Sequence, residues 1–289
     1  MRKRVVKSIQ KWIIYILAAI SVITMLLMAF QIVTESIPAF KNVGLKMFDP
    51  SEKWLPVSSK PQFGLVAIIL GTIYVSILGV AIALILGLGC AFFLNFYTGE
   101  KFASIAYSFI DMVSGIPSVI FGFIGLTVVV KWFTIKFDMV AGQCVLSAAI
   151  VLGIILIPFV VSSCSESIKI AREKYELNTL AIGFSKESFI LKIVLPAIKE
   201  GILASAIMAF GRGLGETMAV MMVIGNSPIY PKLLGRAQTL PALTALEMGS
   251  IEYGSMHMSV LYAANLVLLL ILAIVFGVAY ILNKKISKE

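Results

Sequence analysis

The sequence predicts an all-α polytopic membrane protein with six transmembrane helices and both termini in the cytoplasm. Three observations predict it. Hydrophobic residues fill 60% of the 289 positions and charged residues only 13%, about half the charged share of an average soluble domain. Six stretches approach or exceed the ~20 apolar residues that a helix needs to cross a hydrocarbon core about 30 Å thick. Lys and Arg also divide unevenly. Fifteen fall on segments that a cytoplasmic N-terminus would leave inside and eight on segments outside, the bias that orients membrane helices. The net charge of +9 follows from this asymmetry and from attraction to anionic membrane lipid; no nucleic-acid partner is expected.

The spans are expected at about 12–33, 64–94, 110–130, 143–163, 201–224 and 259–282. The first follows the basic MRKRVVK. Its apolar core is longer than that of a secretory signal and no small-x-small site closes it, so it reads as a retained span. The outer loop from 34 to 63 carries Pro38, Pro50, Pro56 and Pro61 and reads as an irregular, exposed connector. The second span is too long for a simple crossing, which implies projection or tilt. In the third, SGIPSVIFGFIG, Pro117 removes a helical hydrogen bond while Gly115, Gly122 and Gly125 permit close approach. A broken helix near a pathway and an ordinary glycine-bearing span fit equally well. Residues 1–63 (tail, first helix, outer loop) are set apart from a five-helix unit at 64–289.

The cytoplasmic loop at about 163–200 holds six basic and five acidic residues, more charge than a connector needs. Ser185, Glu187 and Ser188 offer helix-start chemistry, and Phe189, Ile190, Ile193 and Val194 then recur at helical spacing. The expected amphipathic helix fits a lipid surface or a groove on a partner equally.

Several chemistries are absent. Cys90, Cys144 and Cys164 are far apart in apolar surroundings, and His257 is the single histidine, so no metal site is expected. His257 itself reads as a solvated outer-loop residue. No phosphate-cradling loop, paired-histidine zinc motif or nucleophile elbow occurs. Uphill transport by this chain would therefore draw on an ion gradient or on a separate ATPase.

The fifth span is the anomaly. From Gly201 to Ile224 the only charges are Arg212 and Glu216. An arginine at mid-span costs about 2.5–3.5 kcal/mol on insertion scales and must face protein or water. Glu216, four residues on, is expected on the same helix face, and Gly211 and Gly215 form a G-x-x-x-G pair suited to close helix packing. An ion pair that fixes packing fits this pattern. So does a guanidinium fork presented to an oxyanion, with Glu216 holding it when the path is empty.

The loop then gives a resemblance. Gly183 is followed after nine residues by Ile193, Val194, Leu195 and Pro196, which resembles the cytoplasmic signature of permease subunits of binding-protein-dependent ABC importers. At the first part it departs: Leu177 stands where those permeases have glutamate, and Glu176 is one position early. SGIPSVIFGF, LIPFVVSSCSESIK, GRGLGETMAVMMVIGN and TALEMGSIEYGSMHMSVLYAANLVL follow in the order seen in phosphate-specific permeases of the PstC type, over about residues 65–282.

The resemblance implies a type I importer fold and import of phosphate. The implied partners are a PstA-like permease, a PstB-like ATPase dimer that holds ATP and Mg, and an extracytoplasmic phosphate-binding protein. No cofactor is implied on this chain itself. Arg212 and Glu216 match the Arg and Glu of the family's pathway motif, while Gly183, Ile193, Leu195 and Pro196 match its ATPase-coupling loop, to which Glu176 is also assigned although one position early. Gly211, Gly215 and Pro117 stay as helix-packing positions. Other tetrahedral oxyanions (sulfate, molybdate, tungstate) are the nearest alternative. A gradient-driven transporter is a remoter one, since no internal repeat is evident, and a membrane enzyme lacks any convergent nucleophile, base or metal set.

Overall fold

The computed structural model describes residues 2–181 and 183–286, with side chains described for 11–179 and 183–281. Ten helices are defined over these residues: α1 (Arg2–Asn42), α2 (Val66–Phe96), α3 (Glu100–Ser114), α4 (Ser118–Lys136), α5 (Val145–Ala181), α6 (Lys186–Ala197), α7 (Lys199–Leu214), α8 (Met218–Ile224), α9 (Leu240–Glu247) and α10 (Met256–Ile286). Five of them are long and apolar enough to cross a bilayer singly: α1 from Lys11, α2, α4, α5 and α10. A sixth crossing comes from the bent pair α6 and α7 taken as one span, with the short α8 following it, which gives a polytopic architecture of five to six spans.

α2 and α5 form the most closely packed pair. Their approach depends on glycine. A Cβ on Gly79 would stand 2.9 Å from the Leu152 side chain, and one on Gly153 would stand 2.8 Å from that of Ile82. Lipid tails are as apolar as Leu, so tight van der Waals contact of this kind is what holds membrane helices together. The main buried cluster surrounds this pair, with Val75, Leu152, Leu156 and Val160 at its centre. α10 packs on α1 and α7. The inner part of α1, from Trp12 to Phe30, is almost wholly exposed and suited to lipid.

The outer loop differs from expectation. Helix α1 runs on to Asn42, past Pro38. Beyond it, Trp54–Leu55 pairs antiparallel with Gln62–Phe63 as β1 and β2, and Met47, Trp54 and Phe63 are buried against α9 and α10. The prolines Pro50, Pro56 and Pro61 occupy the turns between these pieces, so the loop is a folded cap. Its composition hid the three large apolar side chains that anchor it. At one turn of this cap, Asp49 accepts from the Ser51 backbone N–H at 2.8 Å and from its hydroxyl at 2.7 Å, and these bonds hold the carboxyl below its ordinary value.

The third span also shifts. Residues 100–114 form the separate helix α3, the chain breaks at Gly115 to Pro117, and the crossing proper is α4, which carries a π turn over Gly125–Val130. Pro117 sits at the N-cap of α4, where its missing N–H is harmless. The cytoplasmic loop is shorter than expected, because α5 continues unbroken to Ala181.

Candidate functional site

The fifth span is interrupted where the charges lie. α7 closes with tight bonds from Gly215 N–H to the Arg212 carbonyl and from Glu216 N–H to the Gly213 carbonyl, both 3.2 Å. After Thr217, α8 begins, and Glu216 Oε1 accepts from the Ala219 N–H at 3.3 Å. A carboxylate at a helix start satisfies a donor that has no intrahelical partner. Glu216 thus lies between two helices, and the expected one-turn spacing from Arg212 does not exist. Among the described residues the ion pairs within 4.0 Å are Arg172–Glu176 and His257–Glu247, so Arg212 and Glu216 are not paired.

Arg212 is exposed in the last turn of α7, where a cation opposes the carbonyl end of the helix dipole favourably. Its neighbours turn the other way. Gly211 is buried, with a Cβ there 2.8 Å from the Phe276 ring of α10, and Gly213 is buried beside Leu152 and Leu156. Packing on both sides therefore fixes the arginine on the outward face. Gly215 departs from the expected packing pair: it is exposed, caps α7, and nothing but the Arg212 carbonyl lies near its Cβ position. The helix ends before a second glycine can share a face with Gly211.

The break in α7–α8 has a neighbour. A Cβ on Gly122 of α4 would meet the Ala219 Cα at 2.9 Å, and one on Gly125 would meet Val223 at 3.0 Å, so α4 and α8 run side by side in parallel. Pro117 lies five residues before Gly122, and Glu216 lies three before Ala219. At 1.5 Å per residue the two interruptions sit within about one turn of the same depth. Backbone groups freed at such breaks cannot face hydrocarbon. This layer, with Arg212 and Glu216 in it, suits a polar pathway.

On the cytoplasmic side, Gly183 adopts φ +81° with open space around it, a left-handed turn that glycine takes without strain. Ser185 Oγ then accepts from the Ser188 N–H at 3.3 Å and starts α6. This helix buries Phe189, Ile190 and Val194 against the main cluster, with Ile193 and Leu195 half-buried and Pro196 exposed. A π turn over Ile190–Val194 precedes Pro196. α6 meets α7 at 59°. Leu177 is 81% and Leu191 63% exposed here, apolar surface outside the membrane-spanning segments that calls for a cover. Glu176 receives the Arg172 Nε–H at 2.8 Å.

A further constellation escaped the sequence reading. His257 lies in the first turn of α10, and its Nε2 is 2.7 Å from Glu247 Oε2, while Trp54 Nε1–H donates to both Glu247 oxygens at 3.0 and 3.2 Å. The Trp54 and His257 rings lie 5.6 Å apart. His257 is therefore part of a clamp that ties the outer cap to α9 and α10. Its partners stand 10 and about 200 residues away in sequence, which left no local signal.

Residues 83–288 match the family of binding-protein-dependent transport system inner membrane components. The chain belongs to this family, and is a multi-pass permease component of an inner membrane. Among its relatives, the probable phosphate transport system permease protein PstC of Methanocaldococcus jannaschii is 30% identical over 96% of this chain and 95% of its own length. The probable ABC transporter permease protein YqgH of Bacillus subtilis is 31% identical, covering 77% of this chain and 72% of its own. A chain of the MetNI methionine ABC transporter, solved in an inward-facing conformation, has the same fold, with a TM-score of 0.59 at 15% identity over 76% of this chain and 95% of its own.

Proposed function

We propose that this chain is one permease half of an ATP-driven phosphate importer. Residues 64–289 form its transport unit, and a PstA-like permease completes the pathway across from Arg212. The observation that carries the reading is Arg212, outward-facing and without an ion-pair partner among the described residues, at the level of two adjacent helix breaks. Its guanidinium suits the geometry of a phosphate oxyanion. Relatives named as phosphate permeases supply the choice of anion.

A conduit must release what it binds, so Arg212 makes a weak and transient contact. High affinity resides in a phosphate-binding protein outside. ATP and Mg are held by a PstB-like ATPase dimer, which docks on α6 and on the exposed apolar residues beside it. ATP-driven closure of that dimer shifts α6 and, through its buried face, the crossing helices.

The test is the initial rate of labelled phosphate uptake at low external phosphate, in source cells lacking only this chain and after its restoration. Uptake that falls and returns supports the reading. Unchanged uptake, with no second phosphate importer active, sinks it and points to sulfate, molybdate or tungstate.

A further inference from the structure

Below the broken layer lies a cavity of about 690 Å³ between the inner ends of α2, α3 and α5. Its walls are two polar stripes. Ser104, Ser108 and Asp111 follow one another at four- and three-residue steps on α3, and Ser162, Glu166 and Lys169 do the same on α5. Such steps place each trio on a single helix face.

The back of the cavity is held by a hydrogen-bonded chain: Asn95 Nδ2 donates to the Tyr107 hydroxyl at 3.0 Å, which donates to Ser165 Oγ at 2.8 Å. The Lys169 ammonium stands 4.9 Å from the centre of the Tyr107 ring. The opposite face of α3 is apolar, with Phe102, Ile105, Phe109 and Met112 all more than half exposed. α3 buries no residue in this chain.

The ends of the cavity define its direction. Thr98 and Glu100, in and just after the turn that follows α2, line its inner end, while Asp111 lies about one turn before the break at Gly115. Two polar stripes that carry charges and face each other across an open groove are suited to water between them.

We infer that this groove is the cytoplasmic exit of the pathway, a water-filled vestibule through which the oxyanion released at the Arg212 layer passes down between α3 and α5. The identity of the anion rests on the phosphate reading above. The groove itself does not. Its charges give it a second property. Glu100, Asp111 and Glu166 oppose an anion. Of the two cations in the lining, Arg172 is engaged by Glu176 and by the Asn95 carbonyl, each at 2.8 Å, which leaves Lys169 to offset them. An anion leaving Arg212 therefore finds no strong resting place, and one returning from the cytoplasm is repelled. Release is thereby favoured over rebinding.

The experiment uses the complete complex in inside-out membrane vesicles. Ser108→Cys, Ser162→Cys and Phe109→Cys are introduced singly and treated from the cytoplasmic side with a membrane-impermeant maleimide, with the native chain and its cysteines as the blank. Labelling of the first two at least about tenfold faster than the third is expected. Equal rates, or labelling of Phe109→Cys alone, would overturn the vestibule.

In the same vesicles, Glu166→Gln and Asp111→Asn should let phosphate on the cytoplasmic side inhibit transport at a concentration about 3–10-fold lower. Unchanged inhibition by both variants would overturn the electrostatic part. If the native complex carries no phosphate but carries another oxyanion, the phosphate reading fails while the thiol labelling still decides on the groove.

Discussion

Phe189 packs edge-on against Phe96, with ring centroids 6.1 Å apart and planes at 79°. This contact fastens the cytoplasmic helix α6 to the inner end of α2. Removing a buried Phe side chain costs about 3–5 kcal/mol, enough to loosen α6 from the bundle. Phe189→Ala should leave the chain in the membrane but abolish stimulation of the complex's ATPase by loaded binding protein, with uptake reduced about tenfold or more. Phe189→Leu should keep most of both. Normal stimulation in the alanine variant would refute a coupling role for α6.

Arg212 carries the second prediction. Arg212→Ala should reduce phosphate uptake by about tenfold or more, equivalent to about 1.4 kcal/mol in the transport step, with normal amounts of assembled complex. Arg212→Lys should recover only part, because an ammonium lacks the planar fork. Loss of the chain from the membrane on either change would instead assign Arg212 to packing.

The adjacent breaks depend on Gly122, where a Cβ would press on the Ala219 backbone at 2.9 Å. Overpacking of this kind costs about 1–3 kcal/mol. Gly122→Ala should lower the melting temperature of the purified complex by several degrees and slow transport. Gly89→Ala, at a site with open space around it, should do neither. Indistinguishable melting curves for the two would show that α4 and α8 are not in close contact.

Glu247 binds both Trp54 and His257. Its replacement by Ala leaves the buried Trp54 indole N–H and the partly buried His257 ring nitrogen without this partner, at about 1–3 kcal/mol for each buried polar group left unsatisfied. The expected result is faster proteolysis between β1 and β2 in right-side-out vesicles, with Glu247→Gln intermediate. Protease resistance equal to the native chain's would count against the clamp.

The number of crossings and their approximate places were legible because a bilayer imposes one length on every span. The starts of α6 and of its buried face were legible for a similar reason: Ser185, Phe189, Ile190 and Val194 carry a local helical pattern. Arg212 stood out through its charge alone. Legibility ended where the backbone departs from a helix. Nothing in GRGLGETMAV distinguishes a continuous span from one that stops at Leu214, and so Glu216 was placed one turn from Arg212 instead of at the start of α8. The cap over residues 43–63 was missed because its anchors, Met47, Trp54 and Phe63, are isolated in a proline-rich stretch. They find their partners on α9 and α10, about 200 residues later.

α1 and α10 lie against each other, although about 200 residues of chain separate them. A ribosome adding about 5–20 residues per second needs about 10–40 s to make that interval. Throughout it the first helix must survive in the bilayer without the neighbour it will finally have. Its stretch from Trp12 to Phe30 is equipped for that wait, being predominantly apolar and exposed. Seating the last helix against the first is therefore a late event in biogenesis, and a nascent chain halted before residue 256 would be left with its N-terminal anchor unclasped, a state that membrane quality control can recognise.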